Sequence, residues 1–247
     1  MCGHSHRFFK LNDQCVITHI PERPNGFAII LIGDVNHYVT DQTSSWLQHP
    51  ERSKFLDDLC SFGYTIFYSN LYGRHWGNER SVDLLNRMYH TILKQEIINP
   101  KIHILAEGMG ALSALKWLEG HGEKTRSAAF LNPCLSLKVH GEAVREQKLF
   151  YKSFHREICQ AYELSEHEAD EFIQNHRGYR SYTSNKPVKI WHNMHGSPYS
   201  FMNHSRAYEH FRDEIGAPIS LSLQLSGNKQ DFARKVKFFF QQHEKDL

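Results

Sequence analysis

Apolar residues fall in short runs bounded by turn residues, with longer amphipathic stretches between them. Residues 8–11 and 15–20 flank Asn12, Asp13 and Gln14, which predicts an antiparallel hairpin at the start of the chain. A buried-type strand at 27–32 follows, then a helix near 52–62, a strand at 64–68 and a helix near 81–96. Beyond Pro100 come a strand at 101–105, a helix at 110–120 and a strand at 127–131. This alternation is that of an α/β protein with a mostly parallel central sheet and helices on both faces.

The rhythm stops after Asn132-Pro133-Cys134. From about 135 to 185 the chain turns polar and helical, and Ser165-Glu166-His167-Glu168 fits a capping box, in which the serine and the second glutamate satisfy orphan amides. The stretch reads as a helical cap inserted into one domain spanning 1–247. Strands at 188–191 and 219–225 and a helix at 203–211 resume the pattern. A closing helix at 231–242 places Phe232, Val236, Phe239 and Phe240 on one core-facing stripe.

Charge narrows the function classes. Lys and Arg number 29 against 27 Asp and Glu, a formal net charge of +2, with both signs spread along the chain. No basic face for nucleic acid is implied. The longest purely apolar run has six residues, from Phe27 to Ile32, against the ~20 that a membrane-spanning helix needs. The first residues lack the apolar core of a secretory signal. Five cysteines without a C-x-x-C pair fit free thiols in a reducing compartment, so a cytoplasmic protein is expected. Eighteen histidines predict acid sensitivity. Cys2, His4 and His6, or His192, His195 and His204, are the tightest candidate ligand groups, but neither has a closed zinc spacing. The expectation is mainly solvated imidazoles, with no metal and no cofactor.

The segment Ile104-Leu105-Ala106-Glu107-Gly108-Met109-Gly110-Ala111 reads as strand, sharp turn and helix. It resembles the nucleophile elbow G-x-S-x-G of the α/β-hydrolase superfamily, and the resemblance runs from about residue 27 to the C-terminus, outside the cap. Ala106 stands for the first glycine, Gly110 for the last, and Gly108 for the nucleophile. A glycine has no atom that can attack a carbonyl. Gly108-Met109-Gly110 followed by Ser113 also fits a degenerate dinucleotide loop, yet the next strand ends Phe130-Leu131-Asn132 without the acidic residue that grips a ribose.

The resemblance implies two further positions. In Lys186-Pro187-Val188-Lys189-Ile190-Trp191-His192-Asn193-Met194-His195-Gly196, Gly196 falls where the family's acid stands. In Ser226-Gly227-Asn228-Lys229, either Asn228 or Lys229 falls where the histidine base stands. Neither is a competent base at neutral pH. The resemblance therefore implies a degenerate triad on an α/β-hydrolase fold: a catalytically impaired or inactive homologue that binds a small uncharged or polar ligand, or a protein partner. A residual oxyanion or ligand pocket is expected at Gly33, Asp34 and Met109. Gly73-Arg74-His75-Trp76-Gly77 is similar to the loop that supports the elbow in this superfamily. The alternative is an active hydrolase or acyltransferase on an acyl ester or thioester, with Cys134 as nucleophile and His192 or His195 as base.

Overall fold

The computed structural model describes residues 4–224 and 231–244. An antiparallel hairpin opens it: β1 (His4–Leu11) pairs with β2 (Gln14–Pro21) through Leu11↔Gln14. Only Asn12 and Asp13 make the turn, with φ of 49° and 60°. Both residue types tolerate the left-handed region, whose twist matches that of the paired strands.

The sheet continues with β3 (Ala28–Ile32), β4 (Thr65–Ser69), β5 (Ile102–Glu107), β6 (Thr125–Leu131), β7 (Val188–Asn193) and β8 (Ile219–Gln224). Its eight strands run in the order β1-β2-β4-β3-β5-β6-β7-β8. β2 meets β4 antiparallel, and from β4 onward all neighbours are parallel. β3 and β4 are buried at every position, as expected of parallel strands covered on both faces.

Successive strand residues point to opposite faces and so feed two cores. Ile30, Ile32, Ile104 and Phe130 pack against α3 (Glu79–Gln95) and α4 (Gly110–Gly120) through Leu85, Met88, Ile92, Leu115 and Trp117. Ile29, Leu31, Ile66 and Leu105 pack against α2 (Pro50–Ser61) and α9 (Phe232–Gln241) through Leu56, Leu59, Val236, Phe239 and Phe240. The stripe read from the sequence is part of this second core.

A third cluster lies under the cap. α5 (Leu137–Val144), α6 (Lys148–Tyr162) and α7 (Glu166–Asn175) contribute Leu137, Phe154, Ile158 and Ile173, which meet Trp76, Met109, Leu112, Cys134 and Tyr199. The capping box at Ser165 and Glu168 is present. Two elements differ from the sequence pattern. A four-residue helix, α1 (Ser45–Gln48), precedes α2, and the helix expected at 203–211 begins as a π-helical turn, Phe201–Arg206, before α8 (Ala207–Glu214). Among the described residues, no helix is long and apolar enough to cross a membrane, and no group of three or more His, Cys, Asp or Glu could hold a metal ion.

Candidate functional site

β5 ends at Glu107 and α4 begins at Gly110, so the chain reverses over two residues at the carboxyl edge of the sheet. Gly108 sits there at φ +50°, where a side chain costs roughly 1–2 kcal/mol. Its amide donates to the Leu131 carbonyl at 3.0 Å, and its carbonyl accepts from the Cys134 amide at 2.9 Å. Gly110 is demanded by a close approach: a Cβ there would meet the carbonyl oxygen of Gly33 at 2.8 Å. The elbow therefore keeps its backbone form, with its glycines set by conformation and packing.

The space that a nucleophile would occupy holds Asp34. A Cβ built on Gly108 would fall onto the Asp34 carboxyl group. Asp34 Oδ1 accepts from the Met109 amide at 2.8 Å and from the Tyr199 hydroxyl at 2.8 Å. The Met109 amide opens the first turn of α4, the place where a hydrolase of this fold would meet a developing oxyanion. The residual pocket expected at Gly33, Asp34 and Met109 is thus closed by the protein's own carboxylate. Gly33 is covered as well, since a Cβ there would meet the His37 ring, with Nδ1 at 2.7 Å.

Next to the elbow, Glu107 is largely but not fully buried, and Arg52 Nη2 donates to its Oε1 at 2.8 Å. Burial pushes the Glu107 carboxyl up to about 7, with the charge of Asp34 adding to the rise and Arg52 opposing it. Its Oε2 has no hydrogen-bond partner among the described residues. Desolvation outweighs the ion pair here, because a single guanidinium contact does not replace the water lost around a carboxylate.

Gly196 is exposed at φ +78°, with nothing within 4 Å of a Cβ placed on it. Three residues later the same loop delivers Tyr199 to Asp34, a contact across 165 positions that the sequence reading missed. Asn228 and Lys229 lie outside the described residues.

The alternative pair is not assembled. Cys134 is fully buried, and its thiol contacts the Ser136 carbonyl at 3.9 Å. Burial, and the charge of Asp34 after it, push that thiol well above its usual range, which disfavours a thiolate. His192 turns Nδ1 to the Ser205 hydroxyl at 2.7 Å, and His195 is exposed. Buried structural thiols of this kind are inert.

Among the described residues seven histidines are buried, a set larger than the expectation of solvated rings suggests. Several act as neutral acceptors for backbone amides. His75 Nδ1 takes the Gly77 amide at 3.1 Å, His204 Nδ1 the Leu135 amide at 3.1 Å, and the partly buried His176 Nδ1 the Leu137 amide at 3.2 Å. Burial pushes His37 and His75 down to about 3, with Arg52 adding to the shift at His37 and His37 adding to that at His75. Burial likewise lowers His204 to about 3 and His140 and His176 to about 4.

The loop between β4 and α3 is strained and clamped. Leu71, Tyr72 and Trp76 have φ of 48°, 65° and 45°. Arg74 pairs with Glu157 of α6, Trp76 Nε1 donates to the same carboxylate at 2.9 Å, and the Tyr162 hydroxyl donates to the Trp76 carbonyl at 2.9 Å. The Trp76 amide points at Met109 Sδ, 3.2 Å away. The loop joins cap to elbow, so these residues hold the structure together. Between it and the end of α6 lies a cleft of about 390 Å³, with Tyr72, His75, Arg80, Gln160 and Tyr162 among its walls.

Solved structures share this fold. The esterase Est1E from Butyrivibrio proteoclasticus superposes with a TM-score of 0.68 at 11% identity, covering 96% of this chain and 98% of its own. A putative carboxylesterase from Lactobacillus plantarum gives 0.68 at 10% identity over 98% of both chains. The acylaminoacyl peptidase of Pyrococcus horikoshii gives 0.69 at 13% identity, covering 99% of this chain and 41% of its own. No protein-family model and no curated protein sequence matches the chain. The chain has the α/β-hydrolase fold.

Proposed function

We propose that the chain is a cytoplasmic, non-hydrolytic protein of the α/β-hydrolase fold that binds a small polar molecule. The observation that carries this reading is the Asp34 carboxylate seated on the Met109 amide, where catalysis would need a vacant donor beside a nucleophile. A vestigial acid at Gly196 and a base position at Asn228 or Lys229 add to it. Free thiols at the four described cysteines accord with a reducing compartment. The cleft beside α6 suits a polar ligand of no net charge, because most of its charges already have partners and the others, Arg80 and Glu163, are of opposite sign. Arg74 pairs with Glu157, Lys116 with Glu79 at 2.5 Å, and Arg80 lies 3.9 Å over the Tyr72 ring.

The test has two arms. Incubation with p-nitrophenyl acetate and a fluorophosphonate is expected to give neither turnover above buffer nor a covalent adduct; saturable turnover with an adduct would end the reading. Saturation-transfer NMR with neutral sugars and nucleosides is expected to show binding that Gln160→Trp, filling the cleft from its exposed edge, abolishes. Binding unaffected by that substitution would move the ligand elsewhere.

A further inference from the structure

The cap carries a thiol set apart from the elbow. Cys159 on α6 is only partly buried, unlike Cys134 and Cys60. One helical turn earlier on the same face, His155 places Nδ1 3.8 Å from its sulfur. His155 Nε2 lies 3.1 Å from Asp170 Oδ1 on α7, and the Tyr151 hydroxyl donates to that same oxygen at 3.1 Å. Two helices thus bring sulfur, imidazole and carboxylate close together, the sulfur also lying 3.9 Å from the Ser165 carbonyl and the His155–Asp170 contact being a close approach without an aligned hydrogen bond. The row opens on a groove of about 450 Å³, walled by Lys152, Arg156, Leu164 and Glu166 together with Cys159 and His155.

We propose that Cys159 is a thiol–disulfide exchange site for small anionic disulfides, with His155 as its proton acceptor and Asp170 as the residue that positions the imidazole. Exchange at sulfur produces no oxyanion, so it needs only an accessible thiol, a base and an open line of approach. As the Cys159 sulfur attacks a disulfide R–S–S–R′, its proton passes to His155 Nδ1. A new bond forms between Cys159 and the R sulfur, the R–S–S–R′ bond breaks, and R′–S⁻ leaves and takes the proton back from the imidazolium. The Cys159 sulfur is oxidised and the departing sulfur reduced, with no further reagent. Lys152 and Arg156 outnumber Glu166 along the groove, which favours a disulfide bearing carboxylates.

Partial burial, Glu166 and Asp170 hold the thiol above its usual value, so the proton must leave during attack. That opposes two readings of Asp170. If Asp170 merely repels a thiolate, Asp170→Asn speeds exchange; if it orients His155, the same change slows it. The experiment follows release of the coloured thiolate from 5,5′-dithiobis(2-nitrobenzoate) by the folded chain, with the modified cysteine mapped by mass spectrometry. Cys159 is expected to react first, Asp170→Asn and His155→Gln to slow it at least fivefold, and Lys152→Ala with Arg156→Ala to slow this anionic probe more than neutral 4,4′-dithiodipyridine. A faster or unchanged Asp170→Asn, or first labelling at another cysteine, overturns the proposal. The pH profile of the intact chain decides independently of whether the variants fold. A relay makes the Cys159 rate level off well before an unassisted thiol would, whereas a rate rising tenfold per unit to pH ~8.5 or beyond marks an isolated thiol.

Discussion

The two ends of β5 make opposite use of the same chemistry. At the carboxyl end, the chain presents a strained turn under the cap, yet the turn carries Gly108 and is stopped by Asp34. At the amino end, a serine, a histidine and a carboxylate come together. His103 Nδ1 meets the Ser127 hydroxyl at 2.8 Å, His103 Nε2 lies 3.3 Å from Glu244 Oε1, and the Tyr64 hydroxyl donates to that oxygen at 2.6 Å. Ser127 and His103 are both wholly buried, and the His103 ring stacks on Phe240. The row of serine, histidine and carboxylate is thus enclosed in the core, whereas the turn at the other end of the strand carries a glycine against a carboxylate.

Acid is the strongest way to separate the two ends. His37, His75 and His204 titrate at about 3 in the folded chain, and His140 and His176 at about 4, against ~6.5 unfolded. Each contributes its full stability above pH 6.5 and loses it as pH falls towards the folded value, so pH 5 removes roughly 2 kcal/mol per residue. Glu107, raised to about 7, changes in the opposite sense over the same window, but it is one group against five. All five histidines lie at the carboxyl end or in the cap. Burial lowers His103 as well, but Glu244 beside it opposes that shift, whereas at His37 the charge of Arg52 adds to it. Urea unfolding midpoints are expected to fall steeply between pH 6.5 and 4, with amide protection lost around the elbow and cap before the amino end. A flat midpoint across that range would contradict the buried neutral imidazoles.

Gly108→Ser attacks the carboxyl end alone. The left-handed backbone costs roughly 1–2 kcal/mol and displacing Asp34 a similar amount, so a loss of about 3 kcal/mol is expected, without esterase activity. Asp34→Gly in the same chain removes the collision and leaves the backbone cost. The pair should therefore be more stable than the sum of its parts by about 1–2 kcal/mol in a double-mutant cycle. Additive losses would mean that Asp34 does not occupy the nucleophile's space.

Most of the scaffold was legible in the sequence because periodicity reports burial. All eight strands lie close to their expected places, helix 110–120 has the expected limits, and the capping box formed where Ser165 and Glu168 predicted it. α1 escaped because four residues are too few to show a period. The sharp turn at Gly108 between strand and helix was legible too, since it rests on two glycines in a short motif. What packs against it was not. Asp34 reaches Met109 across 75 positions and Tyr199 across 165, and contacts between loops leave no periodic trace. The buried histidines escaped for a related reason: an imidazole that accepts a distant backbone amide looks, in sequence, like one in water.

The smallest effect tests whether Asp34 is held by one donor or two. Tyr199→Phe removes the hydroxyl and keeps the ring that packs in the cap cluster, so it isolates a hydrogen bond to a carboxylate, about 1.5 kcal/mol. Ser127→Ala is its counterpart at the amino end, where a neutral hydroxyl bonded to His103 is worth about 1 kcal/mol. If the carboxyl end is organised around Asp34, Tyr199→Phe also speeds hydrogen exchange at the Met109 amide, because its acceptor has lost an anchor. Ser127→Ala leaves that amide unchanged. Equal protection of Met109 in both variants would show that the α4 amide alone keeps Asp34 in place.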